Sequence, residues 1–237
     1  PDAVSIKYNS TEKNYAIWGF KENFYLNDHG SYLNNASLEG DGLTNFQSTL
    51  DNWKRTDEII SAIGFISYDI KNIFYKHIKF NATQSNLPYL WFGKPKVIHE
   101  FDLEQNENED KSSINLQETR PLPDIEQYIS DIGKIKKWLK SGDVYQINYT
   151  QPIHYITSNN GFNLFSELIK LSNPEFGYYI NTEYGTIISL SPERLLHKKG
   201  DMVSSFPIKG TRPRSKNSNK DLLYKNELIN SSKDRAE

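Results

Sequence analysis

Two tight-turn signals constrain this chain more than any other feature. Glu183-Tyr184-Gly185 and Lys199-Gly200-Asp201 each interrupt runs of strand-forming residues, the second between Leu195–Lys198 and Met202–Phe206. Strands joined by so short a turn must pair antiparallel, because a parallel pair needs a crossover of a dozen or more residues. Such hairpin signals outnumber strand–helix–strand units, so the expected class is α+β with a large antiparallel component. The aromatic content, 13% with 15 Tyr and 12 Phe, agrees, since these side chains suit a pleated, half-buried surface.

Other segments fit the same class. Tyr15–Gly19 and Ala62–Tyr68 (AIGFISY) read as short apolar strands, and Leu43–Lys54 has helical spacing through Leu43, Phe46, Leu50 and Trp53. Asp102–Lys111 is acidic and Asn-rich, which predicts a loop or hairpin tip, with a linker following as far as Pro123. Pro123-Asp124 predicts a helix start, Ile125, Ile129, Ile132, Ile135 and Leu139 continue it, and Ser141-Gly142 predicts its stop. Val144–Thr150 alternates as a strand would, Asn163–Leu171 predicts a helix, and Asn219–Ile229 another.

Bulk properties exclude several functions. A net charge of -2 argues against a general nucleic-acid binder, which needs a basic face. The absence of cysteine removes disulfides, thiolate metal sites and thiol nucleophiles, and fits a reducing compartment, the cytoplasm. No stretch approaches the ~20 apolar residues of a membrane span. The chain opens at Pro1 without Met, which predicts that the native start is missing.

Taken as bare residues, the chemistry-bearing positions are few. Lys209 stands between Pro207-Ile208 and Gly210-Thr211, where a glycine permits close backbone approach to a ligand, and Arg212 and Arg214 can pair with carboxylates. Glu193 follows a Ser-Pro step on a hairpin strand that a sheet can bring near Lys209. Spacing alone also admits a solvated surface lysine and a surface Glu193-Arg194 pair, the commoner fates of such side chains. His29, His77, His99, His154 and His197 lack metal-ligand spacing and read as structural or exposed.

Three segments resemble signatures of the chorismate-utilising enzyme family: GDVYQINYTQP (Gly142–Pro152), SLSPERLL (Ser189–Leu196) and FPIKGTRPR (Phe206–Arg214). The ending KDRAE (Lys233–Glu237) resembles a fourth, and GFISYD (Gly64–Asp69) is a weaker N-terminal match. Together they correspond to roughly the first half of a typical member. The resemblance implies residues 1–118 as an N-terminal region and 119–237 as the first part of the chorismate-binding core. It implies an αββα sandwich, two antiparallel sheets face to face with outer helices, here incomplete. Half of such a domain leaves sheet edges and apolar faces uncovered.

Within that family, anthranilate synthases carry Ala where this chain has Lys209, whereas the aminodeoxychorismate synthase branch carries Lys. Isochorismate and salicylate synthases place a water-activating lysine in the segment matching Val144–Gln151, where this chain has Gln146. The resemblance therefore implies amination of chorismate to 4-amino-4-deoxychorismate, in the p-aminobenzoate and folate branch. Lys209 would attack C2 and expel the C4 hydroxyl, Glu193 would protonate that leaving group, and ammonia would add at C4 and release the lysine. Hydroxide leaves poorly unless protonated, which explains a carboxylic acid. A lysine is nucleophilic only when neutral, and each unit of depression from its reference pKa of about 10.4 costs roughly 1.4 kcal/mol.

By motif position Gly210, Thr211 and Gln146 would contact substrate. Glu237 would be one ligand of a Mg²⁺ that neutralises charge on the dianionic chorismate. The remaining metal glutamates, an active-site His and a substrate-gripping Arg are expected beyond residue 237, so the fragment alone is expected to show no turnover. A glutamine amidotransferase subunit supplying ammonia is the implied partner. Two alternatives stay open: anthranilate synthase component I, although an LLES-type element for tryptophan feedback is missing, and a non-catalytic module whose Lys209–Arg214 patch holds an anion.

Overall fold

The computed structural model describes residues 1–7, 13–54, 59–80, 85–102, 114–119, 124–208 and 210–236. Their contacts separate two compact units, Pro1–Glu104 with Ile169–Glu237, and Gln105–Leu168.

The first unit is built on an eight-stranded sheet whose path runs β10-β9-β1-β2-β3-β4, with β6 added to β2 and β5 to β6. The strands are β1 (Ala3–Lys7), β2 (Asn14–Asn27), β3 (Gly30–Leu33), β4 (Ala36–Leu38), β5 (Ile63–Ile66), β6 (Leu90–Phe101), β9 (Phe176–Thr182) and β10 (Gly185–Ser191). Each pairing is antiparallel, as the hairpin signals require. β2 is the spine: β6 lies along most of its length, β1 pairs with its first residues and β3 with its last.

That length depends on two irregularities. Gly19 has φ 68, a conformation that glycine adopts without steric cost, and Asp2 accepts its N–H at 2.7 Å. The register against β6 then shifts between Phe20 and Glu22. Ile17, Phe20 and Tyr25 thereby join one cluster with Ala3, Trp91 and Ile180. Plain alternation would put Ile17 and Phe20 on opposite faces. Phe24, Leu26 and Leu90 form the second cluster with Trp53 of helix α1 (Gly42–Trp53). Asp41 caps α1 by accepting the Thr44 N–H at 2.9 Å, and Leu43, Phe46 and Leu50 line the packed face. The predicted strand at Ala62–Tyr68 is shorter, because Ser67 caps a 3-10 turn over Tyr68–Ile70 that leads into α2 (Lys71–Phe74).

The second unit holds helix α3 (Ile125–Ser141), which begins and ends as the residues predict. Asp124 accepts the Gln127 N–H at 2.7 Å, and Gly142 closes the helix at φ 80, ψ 10. A two-stranded sheet pairs β7 (Leu116–Glu118) with β8 (Tyr155–Thr157). The strand expected at Val144–Thr150 does not form. The segment alternates, but nothing among the described residues pairs with it, and an unpaired run leaves its backbone groups without a ladder. Helix α4 spans Gly161–Ser172.

Beyond β10, β11 (His197–Lys199) and β12 (Met202–Ser204) form the second predicted hairpin, with Gly200 at φ 59 in the turn. Helices α5 (Ser218–Asn230) and α6 (Ser232–Ala236) follow. Leu195, Met202, Phe206 and Leu223 remain exposed here, in keeping with the uncovered apolar faces expected of an incomplete sandwich. No helix of the described residues is long and apolar enough to cross a membrane.

Candidate active site

The SLSPERLL segment starts at the end of β10, where Ser191 pairs with Phe176. The Ser191 hydroxyl donates to the Glu193 carbonyl at 2.9 Å and accepts the Glu193 N–H at 3.2 Å, closing a turn around Pro192. Glu193 is half-buried, and the Arg194 guanidinium lies over the Phe176 ring, 4.8 Å from its centre. That cation–π contact anchors the turn to the main sheet.

The hairpin then returns the chain toward Glu193. His197 pairs with Ser204, and the Phe206 N–H reaches the Arg194 carbonyl at 3.5 Å. Outside that short ladder neither Glu193 nor the run 206–208 is in a strand: Glu193 lies in the turn that follows β10, not on the hairpin strand expected for it. What brings the FPIKGTRPR segment beside this turn is the Phe206–Arg194 bond, one residue past Glu193. Lys209 itself lies outside the described residues, and so does Glu237.

Downstream, the segment is fastened to the two terminal helices. A Cβ on Gly210 would stand 2.6 Å from Leu228 Cδ1 and 3.0 Å from Asp234 Cγ, so what the glycine closely approaches is the α5–α6 junction. Arg212 Nη2 donates to Asp234 Oδ2 at 3.0 Å, and its Nη1 donates to the Thr211 carbonyl at 2.9 Å. Arg214 holds Asp221 with two bonds of 2.9 Å, and the Ser215 N–H adds a third to the same carboxylate. The Arg214 hydrogen bond, then Ser215, holds Asp221 below the ordinary carboxylate range. The Ser231 hydroxyl first, and the Arg212 charge behind it, does the same for Asp234.

Both arginines proposed to meet carboxylates therefore do so within the chain. Asp221 and Asp234 were not singled out by residue type; the available signal was an acidic residue in the first turn of each terminal helix. Thr211 is exposed at this segment. Gln146 belongs to the second unit, where it is exposed and its Nε2 donates to Asn148 Oδ1 at 3.3 Å. In that unit the Tyr149 hydroxyl donates to Asp131 Oδ2 at 3.1 Å, tying the GDVYQINYTQP segment to α3. Among the described residues no group of three or more His, Cys, Asp or Glu is arranged to hold a metal ion. The described side chains alone do not make a Mg²⁺ site.

Comparison with known proteins fits this geometry. The sequence profile of the chorismate binding enzymes matches residues 3–237. The chain belongs to that family. It is 37% identical over 112 residues to aminodeoxychorismate synthase component 1 of Escherichia coli, an alignment covering 47% of this chain and 25% of that protein. It is 26% identical over 189 residues to anthranilate synthase component 1 of Saccharolobus solfataricus, covering 74% of this chain and 44% of that one. The fold matches the crystal structure of anthranilate synthase component I from Streptococcus pneumoniae, with a TM-score of 0.73, 15% identity, and coverage of 98% of this chain and 60% of that one. The chain thus spans less than half the length of these two curated relatives.

Proposed function

We propose that the whole protein aminates chorismate at C4, giving 4-amino-4-deoxychorismate. The single observation that carries this reading is the PIKGT segment, with Lys209 where anthranilate synthases have Ala, in a chain whose Phe206 N–H reaches the carbonyl of Arg194, the residue after Glu193. The Lys209 amine attacks C2 as the C4 hydroxyl departs, protonated by Glu193, and leaves as water. Ammonia then forms the C–N bond at C4 while the C2–lysine bond breaks. Gly210, Thr211 and Gln146 are proposed substrate contacts. Mg²⁺, with Glu237 among its ligands, would neutralise one carboxylate of the dianion. A glutamine amidotransferase subunit is the proposed ammonia source, and the cytoplasm the proposed compartment.

The S. solfataricus relative, which aligns with more of this chain, favours a second reading, formation of anthranilate and pyruvate from chorismate. Product analysis separates the two. The full-length protein with chorismate, Mg²⁺ and ammonium is expected to yield 4-amino-4-deoxychorismate, with Lys209→Ala and Glu193→Gln slower by about 100-fold or more. Anthranilate as the product would overturn the reading.

A further inference from the structure

We propose that Asp234 is a positioning residue, which through Arg212 and the close seat of Gly210 fixes the Gly210–Arg214 segment on the α5–α6 junction. The proposal deepens the reading above and rests on it. Three contacts converge on Asp234, two on its side chain and one on its backbone N–H. Arg212 Nη2 bonds Asp234 Oδ2 at 3.0 Å, and the two side chains are only 31% and 17% exposed. The Ser231 hydroxyl accepts the Asp234 N–H at 3.3 Å and sets the start of α6. Gly210 lies so near Asp234 Cγ and Cβ that a methyl group would sit at 3.0 and 3.1 Å from them.

Arg212 uses its other terminal nitrogen on the Thr211 carbonyl, so the guanidinium bridges the backbone of the segment to the helix. A fork-shaped cation holding a carbonyl and a carboxylate at once fixes direction as well as distance. A second staple, Arg214 to Asp221, fastens the far end of the segment to α5. The segment is thus tied at Phe206 to Arg194, the residue after Glu193, and at Gly210 and Arg212 to the α5–α6 junction. Reaction rate is sensitive to displacement of a reacting group by about 1 Å, whereas simple binding of substrate is much less so.

The test uses full-length protein carrying Asp234→Asn, Arg212→Lys, Asp234→Arg, or the exchanged pair Arg212→Asp with Asp234→Arg. Hydrogen exchange of peptides covering 206–216 should accelerate in each single variant. Turnover should fall about 10- to 100-fold with KM for chorismate nearly unchanged. The exchanged pair should regain a substantial part of the loss over Asp234→Arg alone, and thermal midpoints should stay close to the parent. Turnover within about twofold of the parent, unchanged exchange at 206–216, or a loss that tracks thermal instability would each overturn the proposal. If the parent protein makes no aminated chorismate, the functional reading fails, while the exchange arm still decides whether Asp234 fixes the segment.

Discussion

Arg214 and Asp221 are joined side-on, Nε and Nη2 each 2.9 Å from a different carboxylate oxygen. The arginine is therefore engaged within its own chain, although its side chain is 89% exposed. An ion pair so exposed contributes little to global stability, but its two-pronged geometry orients what it joins. Replacing Asp221 by Asn should leave the thermal midpoint nearly unchanged and increase proteolytic nicking between residues 210 and 217, measured by limited digestion and mass spectrometry.

Acid should loosen this end of the chain before the main sheet. Asp221 and Asp234 both titrate below the ordinary carboxylate value in the fold, through Arg214 and Ser231 respectively. Their contribution is full above the unfolded value, about 3.9, and is lost as pH falls through the depressed folded values. Far-UV circular dichroism of the parent should show helix loss below pH ~4, and Asp234→Asn should flatten that step.

Base should act on the buried tyrosines of the main sheet and its border. Burial first, and then the neighbouring Tyr25, raises the Tyr184 phenol well above its usual value. Burial also raises Tyr89, seconded by Asp28, and Tyr179, seconded by Asp2. A raised folded value stabilises the fold below the unfolded value of about 10 and is lost as pH climbs through the folded one. Tyrosinate absorbance should therefore show a late-titrating fraction, reduced in Tyr184→Phe.

Glycine at position 64 is demanded by space alone. A Cβ there would lie 2.1 Å from the Trp91 carbonyl oxygen and 2.8 Å from Phe92 Cα, both backbone atoms that cannot rotate away. Gly64→Ala should separate β5 from β6 and cost about 3 kcal/mol or more, read from urea denaturation. Phe24→Ala, at a fully buried site, should cost about 3–5 kcal/mol through the lost contacts and the cavity left behind.

Much of the architecture could be read from residues whose physics is local. Asp124 and Gly142 bracket α3, Gly200 turns the β11–β12 hairpin, and Leu43 to Trp53 mark the packed face of α1. What escaped depends on partners distant in sequence. Tyr15–Gly19 is legible as a strand, but its continuation to Asn27 needs the Gly19 kink and a register shift against β6. Val144–Thr150 has the alternation of a strand but no neighbour among the described residues to pair with. At the candidate site the motif residues were legible, while Asp221 and Asp234, which hold their arginines, emerge only when α5 and α6 fold back.

Tyr25 and Tyr32 face each other across β2 and β3, their rings 4.7 Å apart and inclined by 11°. Two identical chromophores held this close in a chiral frame couple optically. Since the two are direct cross-strand partners, a slip of one residue would send one ring to the opposite face and uncouple them. The protein thus carries its own optical gauge of strand registration: near-UV dichroism from this pair distinguishes the correctly registered sheet from one that is merely collapsed.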